Sequence, residues 1–179
     1  DKGLDTGDIL HQEELPILPG ETAGELIQRM APLGAALLIQ TIRLLEKGEC
    51  PRRKQDESQM SYYPMLNKEM GEVDWRRTAH EIVCQARGLS PWPCAYTAIG
   101  GETLKLWRVE AAVGGEGAPG AILCADPREG LVIQAGEQAV RVLELQAQGG
   151  KRMPAKDYLR GHPLKASACD QRMEENTHE

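Results

Sequence analysis

Between Thr22 and Gly48 the apolar residues Leu26, Ile27, Met30, Leu37, Leu38, Ile42 and Leu45 recur at three- and four-residue spacing, the period of one helix face. Thr22 with Glu25 three residues on forms a capping box, and Gly48 closes the run. The spacing therefore predicts one long amphipathic helix over 22–47, with Pro32 a kink or break inside it. Ahead of it, ILHQEELPIL (9–18) reads as a short strand ending at Pro16 or Pro19. Such a helix needs a sheet to cover, and one strand is not a sheet. From 51 to 72 neither period is present, and the polar, charged texture reads as a linker. Next, Asp74 is expected to cap a helix whose Trp75, Ala79, Ile82, Val83 and Ala86 share a face, with Gly88 closing it. After SPWP come five runs of strand character: AYTAI (95–99), ETLKLWRVEAAV (102–113), GAILCA (120–125), GLVIQA (130–135) and AVRVLELQA (139–147). Short strands joined by glycine-bearing turns predict a small barrel of the OB type. KRMPAKDYLRG (151–161) reads as a short helix, and the residues after Leu164 as a disordered tail. The division expected is 1–50, 51–72, 73–165 and 166–179.

Composition narrows the class. The chain has 179 residues and a formal net charge of -6, but the acids concentrate in the first fifty residues and the tail, leaving 51–165 slightly basic by count. An acidic total therefore does not exclude a face for nucleic acid. No apolar run approaches the roughly 20 residues of a membrane span, and no signal peptide heads the sequence. The five cysteines, Cys50, Cys84, Cys94, Cys124 and Cys169, form no C-x-x-C pair, so neither a zinc site nor a disulfide framework is expected. A reducing, cytoplasmic setting and no metal are the expectation. Phenylalanine is absent and aromatics are few, so phosphate contact is expected over base stacking.

The opening GLDTGDIL is a tight turn that delivers a carboxylate, Asp5, to the mouth of a strand. Asp-Thr-Gly also occurs in aspartic proteases, but there the motif sits in an all-β chain, and here it leads into a long helix. Taken alone, Asp5 could simply stabilise a turn. KGECPRRK and QGGKRMPAK are basic clusters able to hold phosphates, or solvated surface. His11, His80, His162 and His178 lack ligand spacing. Trp75, Trp92 and Trp107 are read as core or corner residues.

Together GLDTGDIL, GEVDW, ARGLSPWPCAY, LKLWRVEA and ELQAQGGKRMPAKDYLRG, in this order and spacing, resemble the methionyl-tRNA formyltransferases over nearly the whole chain. The resemblance implies an α/β remnant, the last strand and helix of a Rossmann-like formyltransferase domain, followed by a basic linker and a mostly β OB-like barrel that binds tRNA. It implies formyl transfer from 10-formyltetrahydrofolate to the amino group of methionyl-initiator tRNA, with no membrane partner and a monomer at full length. Asp5 falls on the aspartate of the family's Asn-His-Asp trio, and Gly3, Leu4, Thr6, Gly7 and Asp8 on the loop bordering the folate. Arg52, Arg53, Lys54, Lys151 and Arg152 fall on the tRNA side. The family's upstream Asn-x-His segment is expected ahead of Asp1, so this chain alone is expected to be inactive. Sugar-nucleotide formyltransferases and the hydrolase domain of formyltetrahydrofolate dehydrogenase share the layout. Further domains usually follow the barrel in those, so the stop soon after LRGHPL favours the tRNA enzyme. A stand-alone tRNA-binding module is the reading from a different class.

Overall fold

A computed structural model describes residues 1–164 and 169–170, and the chain divides into two compact units, Asp1–Met65 and Leu66–Glu179. The expected tail, 166–179, lies almost wholly outside the described residues.

The first unit is built on helix α1, Ala23–Lys47. Thr22 accepts from the Glu25 amide while the Glu25 carboxylate accepts from the Thr22 amide at 2.8 Å, which satisfies two of the donors that a helix start leaves open. Gly48, at φ 70°, ends the helix in the left-handed conformation and donates back to Leu45. Pro32 does not break it; one lost backbone bond is small beside a ladder of 25 residues. Leu26, Leu33, Leu37 and Leu44 are half-buried, whereas Ile27, Met30, Leu38, Ile42 and Leu45 are exposed. No residue of α1 is buried. The expected strand over 9–18 is not formed. A strand needs a partner to take its backbone bonds, and residues 9–18 find one only at Ile9, which exchanges bonds of 2.8 and 3.0 Å with Arg53.

In the second unit the strands β1 (Ala95–Ile99), β2 (Glu102–Ala112), β3 (Ile122–Asp126), β4 (Gly130–Gln134) and β5 (Ala139–Ala147) all pair antiparallel. Two-residue strands β6 (Met153–Pro154) and β7 (Cys169–Asp170) pair with β5 and β1. The order β3-β4-β5-β2-β1-β7 is an open path, and among the described residues no pairing closes it into a barrel. Helices α2 (Ala79–Gly88) and α3 (Ala155–Gly161) pack on one side. Alternation sets that side: Leu104 and Leu106 of β2 point inward with Leu131, Ile133, Val140, Val142 and Leu145.

Two expectations are corrected here. Asp74 does not cap α2. Thr78 and Glu81 form a reciprocal capping box, which satisfies two donors where a lone aspartate would satisfy one, and Asp74 instead accepts from the Arg76 amide at 3.0 Å in the preceding turn. Trp75 accordingly precedes the helix, fully buried, donating its indole N–H to Thr97 Oγ1 at 3.0 Å. Trp92 is not a core residue, being 55% exposed in the turn between α2 and β1.

Candidate functional site

The Gly3–Asp8 turn is held by residues distant in sequence. Asp5 adopts φ 55°, a left-handed conformation that aspartate tolerates better than most residues. This conformation is fixed by Gln55, whose Nε2 donates to the carbonyl oxygens of Asp5 at 2.8 Å and Gly7 at 2.7 Å. A Cβ on Gly3 would lie 2.6 Å from Thr6 Oγ1, so a larger residue there would displace the Thr6 side chain. The Asp5, Leu4, Thr6 and Asp8 side chains all stay exposed. Because Gln55 bonds the main chain, the Asp5 carboxylate is presented outward by a pinned backbone.

The linker runs back beside the residues that follow this turn. Arg53 is tied twice, through its backbone to Ile9 and through Nη2 to Gln12 Oε1 at 2.5 Å. Arg52 and Lys54 flank it and are exposed. The first unit thus brings Asp5 and the RRK cluster onto one local frame. Gln12 and Gln55 are the residues that sequence reasoning missed. Their pairings span 41, 48 and 50 positions, and no local pattern signals them.

In the second unit Lys151 is exposed, but Arg152 is not an isolated cation. Its Nε donates to Glu144 Oε2 at 2.6 Å, its Nη2 meets the same oxygen, and its guanidinium lies 4.9 Å from the centre of the Trp107 ring. The β2 ladder skips Trp107, passing from Leu106 opposite Leu145 to Arg108 opposite Glu144; such a bulge re-aims a side chain. Among the described residues no cluster of three or more histidine, cysteine, aspartate or glutamate side chains could hold a metal, and no helix is long and apolar enough to cross a membrane.

An open antiparallel sheet with helices on one side, preceded by a unit that displays a turn-borne carboxylate, makes this a two-unit α/β protein. The family model described as "Formyl transferase, C-terminal domain" matches residues 65–163, and that described as "Formyl transferase" matches residues 1–42. The chain belongs to the formyl transferase family. It is 46% identical over 164 residues to the methionyl-tRNA formyltransferase of Geobacter sulfurreducens, covering 92% of this chain and 51% of that protein. The chain thus spans about half the length of that relative. Of solved structures, HypX from Aquifex aeolicus in complex with tetrahydrofolic acid matches with a TM-score of 0.66 at 16% identity, over 96% of this chain and 32% of that one. WlaRD, a sugar 3N-formyl transferase, matches with a TM-score of 0.57 at 19% identity, over 79% of this chain and 50% of that one. At these identities the two structures share the fold.

Proposed function

We propose that this chain supplies the carboxylate turn, the basic linker and the RNA-binding unit of a cytoplasmic methionyl-tRNA formyltransferase, monomeric at full length. The observation that carries this is the 46% identity to such an enzyme across 92% of the chain. The solved neighbours, at 16% and 19% identity, share only the fold. The reaction moves a formyl group from 10-formyltetrahydrofolate to the methionine amino group of the charged initiator tRNA. A carbon–nitrogen bond forms to the amine, which gives up a proton, and one breaks at the folate nitrogen, which gains one. The folate derivative supplies the formyl group.

By the resemblance to the family, Gly3, Leu4, Thr6, Gly7 and Asp8 border the folate, on a turn whose Asp5 and Gly7 carbonyls are held by Gln55. Asp5 holds an imidazole in the tautomer and orientation that proton transfer needs, and stabilises its charged form. Arg52, Lys54 and Lys151 contact tRNA phosphates; Arg53 and Arg152 add charge while pinned to Gln12 and Glu144. The second unit is read as an OB-like barrel left open beside β3.

A chimera tests this: the amino-terminal part of the Geobacter sulfurreducens relative that this chain does not match, joined ahead of Asp1. It should formylate methionyl-initiator tRNA, and Asp5→Asn should lower kcat on the order of 10⁴-fold, as mis-set tautomers do in other orienting carboxylates. A folded chimera without activity, or with full activity as Asp5→Asn, refutes the assignment.

A further inference from the structure

One surface of the second unit has no part in the sites above. A cavity of about 320 Å³ is lined by Lys68, Trp92, Pro93, Tyr96, Thr103 and Lys105. Register accounts for its floor. Tyr96 stands opposite Lys105 and Ala98 opposite Thr103 in the β1–β2 pair, and Leu104 and Leu106 take the inner face. Tyr96, Thr103 and Lys105 therefore share the outer face, away from the core. Pro93, buried, anchors the chain beside them, and the exposed Trp92 indole stands at the rim.

The electrostatics are one-sided. No carboxylate lines the cavity, and among the described residues neither Lys68 nor Lys105 joins an ion pair. A flat apolar ring beside two such cations matches a ligand that is itself flat on one part and anionic on another. A nucleotide combines the two, a planar base able to stack on an indole and an anionic phosphate. We propose that this groove binds an unpaired nucleotide of RNA, its base stacked on Trp92 beside Tyr96 and its phosphate between Lys68 and Lys105. The proposal rests on the reading of the chain as acting on a tRNA. It specifies an unpaired position because a base inside a helix has both faces covered by its neighbours. Lysines alone would accept duplex or single strand; the exposed indole selects the latter.

The test uses the whole chain with four probes: single-stranded oligouridylate of about ten nucleotides, a blunt RNA duplex of the same length, UMP, and initiator tRNA. The single strand should quench tryptophan emission and bind more tightly than the duplex. Trp92→Leu should weaken it by roughly 5- to 150-fold, with Trp92→Phe keeping most of the affinity. Lys68→Gln with Lys105→Gln should lower the salt slope by about 0.7, the single-strand value for the one phosphate they share. These lysines are exposed, so that pair decides the matter if Trp92→Leu does not fold. Single-strand binding unchanged in the folded variants overturns the proposal, as does duplex or UMP binding as tight as the oligomer's. Initiator tRNA bound equally by wild type and variants overturns the groove and leaves the tRNA reading standing. Single-strand binding through Trp92 without tRNA binding does the reverse.

Discussion

Gly136 is the position where a single methyl group should do most harm to the second unit. It lies in the β4–β5 turn against the segment entering α2, where its amide donates to the Arg77 carbonyl at 2.8 Å and Ala79 donates to Glu137 at 3.0 Å. A Cβ at Gly136 would overlap the Arg76 carbonyl oxygen and come within 2.8 Å of its carbon. Both sides of this contact are backbone, so no side chain can swing away and the turn must lift. Overpacking costs about 1–3 kcal/mol, and weakening the two backbone bonds adds about 0.5–1.5 kcal/mol each. Gly136→Ala should thus lose about 2–6 kcal/mol. Gly149→Ala is the control. Gly149 has φ 73° with open space around it, so alanine there meets only the left-handed strain of about 1–2 kcal/mol. The assay is urea unfolding followed by tryptophan fluorescence. Trp75, Trp92 and Trp107 all lie in the second unit, so the signal reports that unit even if the first melts separately. With a slope of about 2 kcal/mol per molar urea, the middle of the usual range, the midpoint should fall by roughly 1–3 M. A Gly136→Ala midpoint at or above that of Gly149→Ala would refute the reasoning.

Three further outcomes are expected. The Glu21 carboxyl is held below its usual value, first by the Arg29 guanidinium at 2.6 Å and then by the Leu18 amide. Its stabilising contribution is therefore complete above the unfolded value of about 4.3 and lost as pH falls through the lower folded value. The Leu18 amide resonance should titrate with a midpoint below about 4.3, and a midpoint at or above it contradicts the contact. Amides of α1, which has no buried residue, should exchange much faster than those of β2 and β5; equal protection in a monomer would contradict the unpartnered face. Replacing Arg52, Arg53 and Lys54 together by alanine should lower the salt slope of tRNA binding by about two to three, similarly for initiator and elongator tRNA. An unchanged slope would remove the linker from the interface.

What the sequence made legible was what is local. Thr22, Glu25 and Gly48 mark the limits of α1, because caps and a 3.6-residue period act within a few residues. Alternation and glycine-bearing turns located β1 to β5 to within two residues. Where two local signals competed, the sequence was ambiguous. Asp74 and Thr78 both resemble helix caps, and the box that satisfies more donors prevailed. The strand expected over 9–18 failed for a different reason: a strand exists only with a neighbour, and no window of ten residues shows one. The candidate site divides the same way. Asp5 and its turn are a local pattern, but Gln55, which holds the backbone of that turn, is fifty positions away.

Charge shows how far placement can revise a sequence reading. KRM in the QGGKRMPAK run reads as two adjacent cations, yet pairing Met153 with Leu145 and Pro154 with Glu144 sets Arg152 beside an acid. Glu144 then compensates Arg152 and reaches Arg108 at 3.9 Å, so the cluster offers less free charge than its composition implies. Lys68 and Lys105 stand 37 positions apart in sequence, and neither belongs to a basic run. The fold sets both against Trp92 with no acid in the lining. Scarcity of aromatics argued for phosphate contact over stacking, but that argument assumed an even scatter over the surface. An antiparallel register that turns Tyr96, Thr103 and Lys105 to one face removes that assumption. Even a chain with 4% aromatic residues can concentrate them where a base would stack.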